Sequence, residues 1–201
     1  MSSGYGHEME FDGEAIAKRG VILVTINYRV DALGWFAHPA LSQAGAQGVS
    51  GNYWMFDQIA ALQWVQRNVG AFGGDPANVT IFGQSAGGMS VISHLISPRS
   101  EGLFAKAIVQ SGSFGVAGAA RMYQPLAEGE AWGVKACEIL GKSVSDLRSM
   151  SGLEAHQALK YAEANGAGPM PRLLMDNYLF PDSPAEAFAS GKAANVPVMV
   201  G

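Results

Sequence analysis

The chain has 201 residues, of which 48% are hydrophobic and 15% are charged, and its formal net charge is −4. This length predicts one domain with a substantial apolar core, and the negative charge without a basic run argues against a nucleic-acid partner. No apolar stretch reaches the roughly 18 residues of a membrane span. The single cysteine, Cys137, excludes an internal disulfide and has no companions for a metal site.

The residue pattern alternates between strand-like and helix-like segments. Runs of β-branched and aromatic residues predict strands at 21–27, 78–82, 105–110 and 196–200. Apolar residues at helical spacing predict helices at 55–68, 86–96, 127–140, 143–149, 153–163 and 184–190. The alternation predicts an α/β fold in which a mostly parallel sheet carries helices on both faces.

The segment Gly83-Gln84-Ser85-Ala86-Gly87 fits the pattern Gly-x-Ser-x-Gly between a predicted strand and a predicted helix. This context is typical of a nucleophile elbow, in which a serine on a sharp turn attacks a carbonyl carbon. We expect Gly83 and Gly87 to be required because side chains at these positions would collide across the turn. An ordinary Gly/Ser turn is the alternative, and the strand–turn–helix context argues against it.

The backbone N–H of Ala86 is the expected oxyanion donor. It would lie at the start of the helix that follows Ser85, where unpaired N–H groups and the positive end of the helix dipole face the reacting centre.

The residues that follow Ser85 do not supply an obvious base or acid. His94 would lie about 13 Å further along the same helix, which is too far for a hydrogen bond, and we expect a helix-face or helix-end histidine there. His156 lies in an amphipathic helical pattern and is expected at the surface. Glu154 and Asp176 are expected to be surface or helix-end carboxylates.

A longer match carries a family resemblance. Residues 72–87 read Phe-Gly-Gly-Asp-Pro-Ala-Asn-Val-Thr-Ile-Phe-Gly-Gln-Ser-Ala-Gly. This stretch matches without a gap the active-site signature of type B carboxylesterases and lipases, the family that includes the cholinesterases. Further matches lie at 21–36, 51–66, 97–113 and 196–201. Gln84 stands where cholinesterases have a glutamate, which favours a general esterase.

The resemblance implies an α/β-hydrolase fold that is incomplete at both ends, because family members are more than twice as long. Residues 1–201 would form part of that domain, with a mostly helical excursion at 115–190. The glycine loop that completes the oxyanion hole would precede Met1. The triad acid would follow within about ten residues of Gly201, and the histidine would lie further on. Ser111 resembles a family serine that hydrogen-bonds near the acid, and an ordinary loop serine is the alternative.

We therefore expect a serine hydrolase that acts on small-molecule carboxylic esters through an acyl-enzyme on Ser85. Ala86 would donate to the oxyanion, and the supporting residues would be Gly83, Gln84, Gly87 and Ser111. No metal or organic cofactor is implied, and the chain alone is expected to be inactive.

The alternative function is a non-catalytic binding or adhesion domain of the cholinesterase-like type. Such proteins typically lose the nucleophile, whereas Ser85 is retained. Strand edges left without partners also predict self-association. No signal-peptide pattern is visible, and the sequence assigns no compartment.

Overall fold

The computed structural model describes residues 3–112 and 122–201, and its central feature is a three-stranded parallel sheet. The strands of this sheet, in spatial order, are β1 (Thr80–Gln84), β2 (Lys106–Gln110) and β5 (Val198–Val200). A second, two-stranded parallel sheet consists of β3 (Tyr123–Pro125) and β4 (Leu173–Met175). In the first sheet Gln84 lies opposite Gln110, so the carboxyl ends of β1 and β2 lie side by side at the same end of the sheet.

Helices pack against both sheets and confirm the predicted α/β class. Within the described residues they are α1 (Glu14–Ala17), α2 (Asp31–Trp35), α3 (Pro39–Ala44), α4 (Tyr53–Asn68), α5 (Ala86–Ile96), α6 (Leu126–Leu140), α7 (Val144–Ser149), α8 (Gly152–Ala162) and α9 (Pro184–Ala189). Helix α5 connects β1 to β2 and packs against both strands. Residues 115–121 of the predicted helical excursion lie outside the described part of the chain.

Local capping chemistry explains why several predicted helix boundaries agree with the structure to within a residue. Helices α7, α8 and α9 each begin with a capping box, in which a serine and an acidic residue bond each other's backbone N–H. The predicted strand at 78–82 is instead displaced to Thr80–Gln84. The displacement arises because Asp75 caps a 3₁₀ turn at Pro76–Asn78, and its carboxylate accepts from Ala77 N–H at 2.9 Å.

The strand predicted at 21–27 is wrong: residues 21–30 form no strand in the structure. A strand needs a hydrogen-bonded neighbour, and β-propensity alone does not supply one. The segment is held by side chains instead. The guanidinium of Arg29 donates to both carboxylate oxygens of Asp57 on α4, at 2.8 and 2.7 Å, and the Asn27 side chain accepts from Gly6 N–H at 2.8 Å.

The core has two parts. The larger one lies between the helices and the β3–β4 sheet, where Phe180 stacks against Trp54 and meets Tyr123 edge-on, with ring centroids 6.3 and 5.4 Å away. The smaller one joins α4 and α5 to one face of the three-stranded sheet, through Leu62, Ile81, Val91, Leu95, Phe104, Ala107 and Val109. Phe82 points to the opposite face and is 50% exposed.

A polar contact is buried within this smaller core. The His94 side chain is 5% exposed, its Nδ1 lies 2.8 Å from Ser100 Oγ, and its Nε2 lies 3.1 Å from Gln58 Oε1. Burial lowers the pKa of His94 to about 4. The histidine is therefore neutral at neutral pH and completes its hydrogen bonds inside the protein.

Helix α6 packs unusually close to the chain that precedes α3. A Cβ built on Gly133 would lie 1.9 Å from the carbonyl oxygen of Ala37, far inside van der Waals contact. We predict that Gly133→Ala lowers the free energy of unfolding by about 3 kcal/mol or more, because the backbone must move to admit the methyl group. Gly70→Ala is the control, since a Cβ on Gly70 meets nothing within 4 Å. Chemical denaturation that shows equal losses for both variants would contradict this prediction.

His94 also makes stability depend on acidity. The unfolded chain takes up a proton below the ordinary histidine pKa of about 6.5, whereas the folded chain does so only near pH 4. The stability that the neutral, buried His94 contributes to the fold is therefore fully present above pH 6.5. The free energy of unfolding falls by about 2 kcal/mol between pH 7 and pH 5, as the unfolded chain takes up the proton first. Urea unfolding across this range should show the loss in the wild type. His94→Gln should be less stable at pH 7 but should lack this part of the pH dependence, and parallel curves would refute the assignment.

Candidate active site

Ser85 lies in the sharp turn between β1 and α5. Its backbone has φ 53° and ψ −113°, a conformation that a residue with a side chain adopts only under constraint. Its N–H donates to the Gln110 carbonyl at 2.8 Å, and its own carbonyl accepts from Met89 N–H at 3.0 Å. The turn is thus held by β2 on one side and by α5 on the other, while the Ser85 side chain is exposed.

Gly83 and Gly87 contribute to this turn in different ways. A Cβ on Gly83 would lie 2.4 Å from the carbonyl carbon of Gly87, so the expected collision is present at Gly83. The same expectation is wrong for Gly87, where a Cβ would meet nothing within 4 Å. The backbone of Gly87 is the group that Gly83 approaches. A side chain added to Gly87 itself would point into open space.

Two glycines that the sequence patterns did not single out bring a second turn against the elbow. A Cβ on Gly112 would lie 2.5 Å from the carbonyl carbon of Gly88, and a Cβ on Gly88 would lie 2.8 Å from the Cα of Gly112. The first turn of α5 therefore touches the loop after β2 directly through backbone. The sequence does contain a signal for this close contact, namely the pair Gly87-Gly88 inside a predicted helix. Glycine is unfavourable within helices, so its presence there indicates a position where close packing requires it.

Ser111 lies on that second turn, one residue beyond β2. Its φ is 50°, its side chain is exposed, and its N–H donates to the carbonyl oxygen of Gly201 at 2.5 Å. Gly201 N–H in turn donates to the carbonyl of Val109 at 3.0 Å. Ser85, Ser111 and Gly201 thus directly follow β1, β2 and β5, at the carboxyl end of the sheet. Open parallel sheets bind ligands at the carboxyl ends of their strands.

The remaining elbow residues are placed by the same two elements. Ala86 is the first residue of α5, so its N–H belongs to the unpaired amides of a helix N-terminus. Gln84 is the last residue of β1, its backbone pairs with Gln110, and its side chain is exposed.

The other candidate acids and bases lie outside the elbow, and two of them have structural partners elsewhere. Glu154 caps α8, and its hydrogen bond from the Ser151 hydroxyl lowers the pKa of the carboxyl group. His156 is half-buried on α8. His94 lies in the last turn of α5, as expected, and is buried against Ser100 and Gln58.

Asp176 corrects the expectation of a surface carboxylate, because it is only 5% exposed. One of its oxygens accepts from the backbone N–H groups of Tyr178, Leu179 and Phe180, at 3.0, 2.7 and 3.1 Å. The other accepts from the Asn52 amide at 3.0 Å. These four bonds replace the water that the carboxylate loses, and they fix the turn that positions Phe180 in the core.

Within residues 3–112 and 122–201, no group of His, Cys, Asp and Glu side chains has the geometry of a metal site. Among the helices in those ranges, none combines the length and the apolarity needed to cross a lipid bilayer.

Comparisons with known proteins agree with this geometry. The sequence model described as "Carboxylesterase family" matches residues 2–201. The chain is 41% identical over its whole length to the fumonisin B1 esterase of Sphingopyxis macrogoltabida, of which it covers 36%. It is 34% identical to the para-nitrobenzyl esterase of Bacillus subtilis (strain 168), with 98% of this chain and 40% of the esterase covered.

Solved structures give the same result. A thermophilic pNB esterase is 31% identical and superposes with a TM-score of 0.84, over 99% of this chain and 41% of that one. A carboxylesterase of Geobacillus stearothermophilus is 35% identical with a TM-score of 0.82, over 99% of this chain and 42% of that one. The chain thus spans about two fifths of the length of these relatives. From the match over almost all of its residues, the chain belongs to the carboxylesterase family and has the α/β-hydrolase fold.

Proposed function

We propose that this chain carries the nucleophile of a serine hydrolase that acts on carboxylic esters, and that Ser85 is that nucleophile. The observation that carries the proposal is the backbone of Ser85, which is held in a strained left-handed conformation at the carboxyl edge of a parallel sheet. Such strain of about 1–3 kcal/mol persists only where the surroundings enforce it, and it concentrates at active sites.

The reaction proceeds in two acyl-transfer steps. Ser85 Oγ attacks the ester carbonyl carbon as a base takes the hydroxyl proton, and the alcohol leaves with that proton. Water, deprotonated by the same base, then attacks the acyl-enzyme, which releases the carboxylic acid and restores the serine hydroxyl.

Ala86 N–H stabilises the oxyanion that forms in both steps. Two facts support this role: the amide is adjacent to Ser85 and it lies at the N-terminus of α5. Removal of one such donor typically costs roughly 10²–10³ in rate. Further donors would come from the glycine loop that the family resemblance places before Met1.

The acid and the base are proposed to lie in sequence beyond Gly201, so that the 201-residue chain alone is inactive. The contact between Ser111 N–H and the Gly201 carbonyl supports this arrangement, because it directs the chain that would follow β5 toward the edge where Ser85 lies. In this arrangement Ser111 is a hydrogen-bonding neighbour of the incoming acid, and Gln84 borders the elbow from β1.

Residues 1–201 are accordingly proposed as part of an α/β-hydrolase domain, with 115–190 as its helical excursion. The names of the relatives, a fumonisin B1 esterase and a para-nitrobenzyl esterase, support carboxylic esters as the substrate class. The net charge of −4 argues against nucleic acid as a binding partner.

The first prediction from this proposal concerns covalent labelling of Ser85. In the full-length chain that contains this segment, a fluorophosphonate probe should label Ser85 and p-nitrophenyl esters should be cleaved, because the complete triad activates Oγ. Ser85→Ala should abolish labelling and lower turnover by about 10³-fold or more. The 201-residue chain should remain unlabelled.

Ser97→Ala is the matched control, since Ser97 is buried after α5 and is not part of the elbow. Mass spectrometry of the labelled peptide gives the site. Labelling of the 201-residue chain at Ser85 would refute the proposed inactivity. A folded full-length chain that resists the probe would instead favour the non-catalytic binding or adhesion class.

The unpaired side of β5 is expected to promote self-association of the 201-residue chain. Within the described residues β5 pairs only with β2, and Val198, Met199 and Val200 are 42%, 67% and 62% exposed. An apolar strand with unpaired N–H and C=O groups is a template for further pairing. We expect the 201-residue chain to form dimers or larger species at micromolar concentration.

Sedimentation velocity should show that Met199→Lys shifts the chain toward monomer. Leu153→Lys is the control, because Leu153 is also 67% exposed but lies on α8. A wild type that remains monomeric at all concentrations, or equal effects of the two lysines, would contradict association through this edge.

A further inference from the structure

The interface between α4 and α5 contains a run of hydrogen-bonded side chains that the proposed chemistry does not use directly. Gln58 on α4 is 2% exposed, Ser90 and His94 on α5 are 6% and 5% exposed, and Ser100 is fully buried. Polar side chains in such a position normally stabilise the fold only if every donor and acceptor is matched.

The distances fit an arrangement that runs from Ser100 through His94, Gln58 and Ser90 to the Ala86 carbonyl. The Gln58 amide group donates to Ser90 Oγ at 3.2 Å, and the Ser90 hydroxyl donates to the Ala86 carbonyl at 3.2 Å. On its other side Gln58 Oε1 lies 3.1 Å from His94 Nε2, and in this arrangement that nitrogen carries the proton. His94 Nδ1 then accepts from the Ser100 hydroxyl at 2.8 Å.

The opposite histidine tautomer would separate the Ala86 carbonyl from this arrangement. It would set the lone pair of His94 Nε2 against Gln58 Oε1, and a reversed Gln58 amide could relieve that repulsion only by presenting its oxygen to Ser90. Ser90 would then have to donate to Gln58, and the Ala86 carbonyl would lose its hydroxyl partner.

We propose that Gln58 is a positioning residue for the nucleophile elbow, which it acts on through Ser90. This inference rests on the proposed function of Ser85 and Ala86. One side-chain amide ties both ends of α5 to α4: the first turn through Ser90 and Ala86, and the last turn through His94. Gly88 fixes the opposite side of the first turn by its contact with Gly112.

The expected consequence is a precisely directed Ala86 N–H. An oxyanion donor is effective at about 2.7–3.1 Å from the position of the developing charge. A displacement of about 1 Å in an active site can cost roughly a hundredfold in rate. Without the Ser90 bond to the Ala86 carbonyl, the first turn of α5 loses its tie to α4, and only the contact between Gly88 and Gly112 and the elbow backbone still hold it.

Gln58→Glu is the sharpest variant, because it preserves shape and still accepts from His94, but its carboxylate accepts from the Ser90 hydroxyl and so removes that hydroxyl from the Ala86 carbonyl. In the full-length chain that contains this segment, kcat for a p-nitrophenyl ester should fall about ten- to a hundredfold, with KM changed less than about threefold. Nuclear magnetic resonance should show a displaced Ala86 amide resonance, and the ¹⁵N shifts of His94 should change from the neutral Nε2–H form to imidazolium.

Gln66→Glu is the matched control on the same helix. The Gln66 amide donates to the carbonyls of Pro76 and Leu103, at 2.9 and 3.0 Å, so this variant also loses side-chain hydrogen bonds and is expected to lose thermal stability. Its kcat and its Ala86 resonance should nevertheless match the wild type, which separates positioning from a general loss of stability.

The inference is overturned if Gln58→Glu retains the wild-type kcat and Ala86 resonance, or if Gln66→Glu alters both equally. A wild type that cleaves no ester would refute the proposed function and not the hydrogen-bond arrangement. In that case the Ala86 resonance and the His94 tautomer still decide whether Gln58 holds the first turn of α5.

Discussion

The close approach of the Gly83 and Gly87 backbones is the constraint on which the elbow depends. With 2.4 Å between a hypothetical Gly83 Cβ and the carbonyl carbon of Gly87, the strand can turn into α5 at this point only if residue 83 lacks a side chain. The turn forces Ser85 to φ 53°, and the serine side chain then stands clear of both elements. The exposed position of the Ser85 side chain therefore depends on the absence of a side chain two residues earlier.

Backbone contact at glycine recurs where elements must be fixed relative to the elbow. Gly88 against Gly112 places the loop that carries Ser111 beside the first turn of α5. Gly133 against Ala37 joins α6 to the chain before α3 in the same way. Contacts between backbones have little rotational freedom, because no rotamer can change to relieve them. They define distances more rigidly than the aromatic contacts of the larger core.

Features that depend on nearby residues could be predicted from the sequence, and features that depend on remote partners could not. The helix at 86–96 and the capped starts of α7, α8 and α9 follow from local spacing and capping residues. The strand expected at 21–27 failed because pairing needs a neighbour that composition does not reveal. Asp176 was expected at the surface because its partners, including Asn52, are distant in sequence or belong to the backbone.

The smaller core shows why uncharged groups suit the surroundings of the elbow. A charge at the position of His94 would be costly to bury and would act on the helix that begins directly after Ser85. Because burial lowers the pKa of His94 to about 4, the histidine is neutral at neutral pH, and its hydrogen bonds are between neutral groups. Asp176 is also buried, but three backbone N–H groups compensate its charge locally, and the turn it fixes belongs to the larger core. The buried charge of Asp176 thus lies in the larger core, where it stabilises a turn. The buried polar groups along α5 are a neutral amide, two hydroxyls and an imidazole.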